Sequence, residues 1–159
     1  MSLAPLYGPD RFGLSFELFP PKTEAGEAAL FRHVELLTQF QPGYITCTYG
    51  AGGSTQTKTL DIVARVRRET GLPVATHLTC VGRTADQLQH YLSEALERGV
   101  ENVVALRGDP PKGEAAFVAT AGGFRYANEL VDFIREKFGQ QFGIAVAGYP
   151  EKHIEAPSP

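Results

Sequence analysis

The sequence has 159 residues, 43% hydrophobic and 21% charged, the proportions of an ordinary globular domain and not of a disordered, collagen-like or membrane chain. A net charge of -3, with the basic residues scattered and not gathered in runs, lacks the electrostatic footprint of a nucleic-acid-binding protein. No apolar run approaches the roughly 18 residues of a membrane span, and MSLAPLYGPDRFG has no signal-peptide character, so one cytoplasmic domain over residues 1–159 is expected.

Short β-rich runs alternate with segments of helical period, the pattern of successive βα units around a parallel sheet. The first strand is expected at LSFELF (14–19), followed by a helix near 24–40 that buries Leu30, Val34 and Leu37. The second strand, GYITCTYG (43–50), leads through a glycine-rich stretch into a helix near 55–70 with Leu60, Val63 and Val66 on its inner stripe. The third, PVATHLTC (73–80), precedes the clearest helix: Thr84 and Gln87 make a capping-box pattern, Leu88, Tyr91, Leu92, Ala95 and Leu96 form the buried face, and Gly99 sits where a left-handed cap is wanted. After the fourth, NVVALRGD (102–109), residues 110–124 form a long Pro-, Gly- and Ala-rich loop, and a fourth helix near 125–138 ends at Gly139. The fifth strand is FGIAVAGYP (142–150), and no fifth helix follows. Mostly apolar strand centres without clean alternation indicate burial on both faces. Cys47 and Cys80, inside such runs, read as small buried thiols.

Polar residues gather at the C-terminal ends of these strands, where β/α folds place their reactive groups. The first strand ends at Glu17, the second at Thr48 and Tyr49, the third at His77, the fourth at Arg107 and Asp109, and the fifth at Tyr149 with His153 just beyond. Singly, each has a structural explanation: Glu17 could pair with Lys22 or Arg107, His77 could be a satisfied core histidine, and Arg107 with Asp109, on one face of a strand, could cap its end. Jointly they converge on one mouth. Glu17, between Phe16 and Leu18, is expected to be an enclosed carboxyl whose raised pKa suits a general acid. YGAGGSTQTKT (49–59) fits neither a Walker A loop, because Lys58 follows Thr57, nor a dinucleotide turn, because Thr55 stands at the third glycine position; a backbone approach to a ligand and a plain βα turn remain equal readings. No metal-ligand spacing occurs, His33 and His90 look like helix-surface residues, and no G-x-S-x-G elbow is present. An organic ligand with a phosphate or extended ring system is favoured.

SFELFPPK (15–22), TYGAGGS (48–54), HLTC (77–80), LRGD (106–109) and YPEKH (149–153) stand in the order and spacing of the methylenetetrahydrofolate reductase family, which the chain resembles over residues 14–156. The resemblance implies a (β/α)8 TIM-type barrel, here truncated to about five strands and four helices as the N-terminal half of a flavin-binding reductase barrel. It implies FAD as cofactor and NAD(P)H as co-substrate. The implied activity is reduction of 5,10-methylenetetrahydrofolate to 5-methyltetrahydrofolate through reduced FAD, in one-carbon and methionine metabolism. By residue, Glu17 matches the acid that protonates the departing folate nitrogen, and Asp109 the carboxylate that stabilises the resulting iminium cation. Thr48 matches a position associated with the nicotinamide nucleotide, and Tyr49, Ala51, His77, Arg107, Gly108, Asp109, Ala127, Tyr149 and His153 match positions lining the FAD. Partners implied are methylenetetrahydrofolate and either a second copy or a missing C-terminal half, since five strands of an open barrel leave two unpaired edges. The rival readings are a non-catalytic half-barrel without flavin and a flavin-free folate methyltransferase barrel; LRGD and SFELFPPK argue against the latter.

Overall fold

The computed structural model describes residues 3–49, 56–110, 113–114 and 116–153. Strands β1 (Ser15–Leu18), β2 (Tyr44–Cys47), β3 (Val74–Thr79), β4 (Asn102–Leu106) and β5 (Gly143–Val146) alternate with helices α1 (Glu24–Thr38), α2 (Gln56–Thr70), α3 (Ala85–Glu97) and α4 (Ala127–Phe138). The strands form one sheet in the order β1-β2-β3-β4-β5, every pairing parallel. Five parallel strands and four helices make a partial barrel of the TIM type, as the sequence predicts.

Local chemistry accounts for the helix ends. At α3, Gln87 N–H donates to Thr84 Oγ1 (3.3 Å) while Thr84 N–H donates to Gln87 Oε1 (3.1 Å), which satisfies two otherwise orphaned donors. The helix stops where Gly99 takes φ +75° and Val100 N–H returns to Ala95 O at 2.9 Å. Thr23 caps α1 by accepting from Gly26 N–H at 3.1 Å. At α4, the Glu129 carboxylate reaches back to accept from Arg125 N–H (2.6 Å) and Tyr126 N–H (3.0 Å).

The core fills the space between sheet and helices. Ile45, Cys47, Val74, Leu78, Val103 and Ala105 of the sheet meet Leu60, Val63 and Val66 of α2, Leu88, Leu92 and Ala95 of α3, and Leu130 and Ile134 of α4. Tyr91, buried with them, shares a 2.5 Å hydrogen bond with Thr76 Oγ1. Helix α1 departs from expectation: Phe31 and Val34 are its buried residues, and Leu30 and Leu37 are only partly covered. The aromatic ring, with Arg65 stacked 3.6 Å from its centroid, takes the inner position.

All five strands are also shorter than their apolar runs suggest, most of all at their C-terminal ends. The β4 ladder ends at Leu106 and that of β5 at Val146, so Arg107, Asp109 and Tyr149 lie in loops. Gly108, at φ +87°, breaks the strand's alternation there, a conformation that glycine adopts without the Cβ penalty. Leu92, fully buried, tests the core: Leu92→Ala is expected to cost ~2–5 kcal/mol of unfolding free energy. His90→Ala, exposed on the same helix, should stay within about 0.5 kcal/mol of wild type in the same urea titration.

Candidate active site

In a parallel sheet, residues in register share a face, and alternation sends their neighbours to the opposite one. Glu17 stands beside Thr46, and Thr46 beside Ala75; two residues further along β3, His77 stands beside Val104. Ser15, Glu17, Tyr44, Thr46, His77 and Val104 therefore face away from the helices, where they line an open cavity of about 1130 Å³. Glu17 Oε2 approaches His77 Nε2 to 3.4 Å, so the carboxylate's partner is the histidine, not Lys22 or Arg107.

The expected enclosure of Glu17 is not found: its side chain is 47% exposed, because the cavity it faces is open, while His77 is only 12% exposed. Burial pushes the His77 pKa below its ordinary value, and the Glu17 carboxylate partly opposes that shift, so the imidazole is neutral at pH 7. His77 also lies within β3 and not at its end. Thr46, 7% exposed, carries a buried hydroxyl with no hydrogen-bond partner. Further toward the start of the strands, Tyr7 OH and Tyr44 OH share a 2.6 Å hydrogen bond that, with lesser help from burial, pushes the Tyr7 phenol up to about 12.

A second cleft, of about 600 Å³, opens past the C-terminal ends of β4 and β5. Arg107, Gly108, Asp109, Ala127, Tyr149 and His153 all line it, six residues that the sequence scatters over two loops and a helix start. Its floor is held by close packing. A Cβ on Gly108 would lie 2.8 Å from Val81 Cγ1 and 3.1 Å from Thr79 Cβ, so the loop after β4 fits only with glycine there. The Cys80 thiol donates to Leu106 O (3.5 Å) and Tyr126 O (3.6 Å), tying the end of β3 to the end of β4 and the start of α4. Burial raises this thiol to about 11 and that of Cys47 to about 12, so both are inert buried groups, as expected. The Arg107 guanidinium lies 5.1 Å over the Phe117 ring, and Tyr149 meets His153 edge-on at 4.8 Å. Helix α4 begins at this cleft, and a helix N-terminus favours negative charge.

Thr48 and Tyr49 do not join either group. Thr48 donates its N–H to Leu18 O (2.8 Å) and accepts from Thr59 Oγ1 (3.0 Å) through its carbonyl. Tyr49 packs edge-on against Tyr91 at 6.2 Å. Ala51 and most of the glycine-rich stretch lie outside the described residues. Three residues that the sequence reading omitted help form these surfaces: Thr46, visible in hindsight as the inward neighbour two before Thr48, and Tyr126 and Asn128, which flank Ala127 at the helix start. Among the described residues, no group of three His, Cys, Asp or Glu could hold a metal ion, and no helix is long and apolar enough to cross a membrane.

A parallel β/α array that collects ionisable residues on its open face and beyond its strand ends is an enzyme scaffold of the β/α-barrel class. Comparison with known proteins narrows the class. Residues 7–159 match the family model described as methylenetetrahydrofolate reductase. The chain is 44% identical to methylenetetrahydrofolate reductase (NADH) 1 of Zea mays over 94% of its own length and 25% of the relative's. It is 38% identical to methylenetetrahydrofolate reductase 2 of Saccharomyces cerevisiae over 91% and 24%, and 36% identical to 5,10-methylenetetrahydrofolate reductase of Escherichia coli over 99% and 50%. The chain belongs to the methylenetetrahydrofolate reductase family, and it spans a quarter to a half of the length of these relatives.

The lowered His77 pKa makes stability depend on pH. Above about 6.5, the ordinary histidine value, His77 is neutral in both folded and unfolded chains; below it the unfolded chain takes up the proton first. Stability should therefore fall as pH drops from neutrality through the histidine range, and thermal melts of His77→Gln should show a shallower decline than wild type.

Proposed function

We propose that residues 1–159 form one domain, the flavin-facing N-terminal part of an FAD-dependent methylenetetrahydrofolate reductase that uses NAD(P)H. The observation that carries this reading is the cleft past β4 and β5, where six residues at family-matching positions meet although they are far apart in sequence. Its volume of about 600 Å³ lies in the range of small-molecule sites. The donor set suits a dinucleotide: Arg107 and the α4 N-terminus for phosphate, the tightly fitted Gly108 for a close backbone approach, and Tyr149 with His153 for a flat ring.

FAD, when bound, supplies a carrier that accepts hydride from NAD(P)H and returns it to the folate. The chain's own residues then act on charge and protons. Glu17 delivers a proton from its carboxyl to the folate nitrogen that departs as the five-membered ring opens. Asp109, at the mouth of the cleft, places negative charge where the folate becomes cationic. Thr48, just past the end of β2, is the residue that the family resemblance assigns to the nicotinamide nucleotide. Edge strands β1 and β5 each bond a single neighbouring strand, which leaves room for a C-terminal half or a second copy to extend the sheet.

The half-exposed Glu17 favours one rival, a half-barrel without flavin, and a binding experiment separates the two. Titrating FAD into the purified chain should quench flavin fluorescence. Arg107→Ala should weaken that binding at least tenfold, the loss expected when a charge-assisted contact of about 1.5–3 kcal/mol is removed. A chain that neither binds FAD nor oxidises NAD(P)H in its presence, alone or with a supplied C-terminal half, is no reductase. In a flavin-loaded barrel, Glu17→Gln should spare flavin reduction by NAD(P)H and abolish folate reduction; equal loss of both would assign Glu17 to holding the flavin.

A further inference from the structure

By resemblance, His77 belongs with the residues that line the flavin, yet it does not line the cleft where six of those residues meet. Its company is Glu17. The two side chains lie on strands β1 and β3, with β2 between them, and the register explains how they touch. Thr46 separates Glu17 from Ala75, whose methyl leaves the imidazole two residues on free to lean across β2 and bring Nε2 to 3.4 Å from Glu17 Oε2. From β1, Glu17 and Ser15 share its face; from β2, Thr46 and Tyr44; from β4, Val104 and Leu106. Of these, Glu17 alone has a carboxyl group; Glu101, just before β4, and Arg135 of α4 line the same cavity. The helices pack on the opposite face of the sheet. Thr46, beside Glu17 in register, adds a buried hydroxyl with no partner. A polar group left unsatisfied in a buried position costs free energy, so the Thr46 hydroxyl is a further polar group available between the two ionisable residues.

We propose that His77 positions the Glu17 carboxyl and reloads it with a proton after each transfer, so that the two residues work as one proton-sharing pair on the open face of the sheet. The inference rests on Glu17 being the proton donor of the reductase reading. Once Glu17 has given up its proton, the neutral imidazole of His77 passes its Nε2 proton to Oε2 as Nδ1 takes one from solvent. The Nε2–H bond breaks with its electron pair left on nitrogen, the O–H bond forms on the carboxylate, and the ring is left neutral with its proton on Nδ1. Burial disfavours the imidazolium, so a proton taken up at one nitrogen is handed on from the other. The exposure of Glu17 and near-burial of His77 suit the same division of labour: one group reaches substrate, the other is held rigidly behind it.

The experiment is an NMR pH titration of the full chain that follows the His77 ring nitrogens in wild type, Glu17→Gln and Glu17→Asp. Loss of the carboxylate in Glu17→Gln should lower the His77 midpoint by about half a pH unit, roughly a threefold loss of proton affinity, and Glu17→Asp should keep part of the coupling. Identical midpoints in wild type and Glu17→Gln overturn the proposal. Should Glu17→Gln fail to fold, the Glu17 carboxyl carbon of wild type provides the same test: an inflection at the His77 midpoint supports the pair, and a single independent carboxyl titration overturns it. Neither measurement needs flavin. Failure to bind FAD would sink the reductase reading and leave the coupling in place, whereas uncoupled titrations would remove the pair and leave that reading untouched.

Discussion

The parallel hydrogen-bonded register of β1, β2 and β3 is the constraint from which the open face follows. Because Glu17 is held beside Thr46 and Thr46 beside Ala75, strict alternation decides every other orientation in these strands. Ile45, Cys47, Val74 and Leu78 are sent to the helices, and Glu17, Thr46 and His77 to the other side. A slip of one residue in either pairing would bury the carboxylate among leucines and valines, at a cost no nearby cation offsets. The apolar core of the helix face therefore guarantees the polar grouping of the open face. No loop is needed to aim Glu17 or His77.

The second cleft depends on different physics. Its residues come from loops, so they are placed by packing against fixed elements and not by a ladder. Gly108 lies so close to Val81 and Thr79 that the turn after β4 has one position, and the Cys80 thiol joins that turn to the start of α4. The Arg107 guanidinium lies against Phe117, a stacking contact that limits its rotamers. Glu129, by satisfying Arg125 N–H and Tyr126 N–H, fixes the entry into α4. Small local bonds thus hold a surface assembled from distant parts of the chain.

What the sequence could disclose tracks how local each determinant is. The cap of α3 is written in Thr84, Gln87 and Gly99, and the structure has it almost residue for residue. Strand ends are less legible, because an apolar run does not say where a neighbour stops donating; the ladders of β4 and β5 end several residues before the polar cluster begins. The inner face of α1 is turned toward Phe31, with Leu30 and Leu37 only partly covered, and Arg65 of α2 stacks on the Phe31 ring, a contact between helices that the α1 sequence does not display. The burial of Glu17 was misjudged for a related reason: its strand neighbours are apolar, but they point the other way. The meeting of Arg107, Asp109, Tyr149 and His153 was legible from the βα pattern, and Ala127 only from the family resemblance; that Glu17 and His77 pair apart from them needed the register across β2.

The two surfaces are neighbours, and what lies between them bears on how both work. Leu106 and Val146, the last residues of β4 and β5, line the open cavity as well as the cleft. The open cavity holds the Glu17 and His77 pair, and the cleft holds Arg107. A guanidinium beside Glu17 would favour the carboxylate and oppose its holding a proton, and it would also depress the imidazolium of His77 by like-charge repulsion. With Arg107 in the cleft and the Glu17–His77 pair in the open cavity, that cation and the carboxyl–imidazole pair stand on separate surfaces.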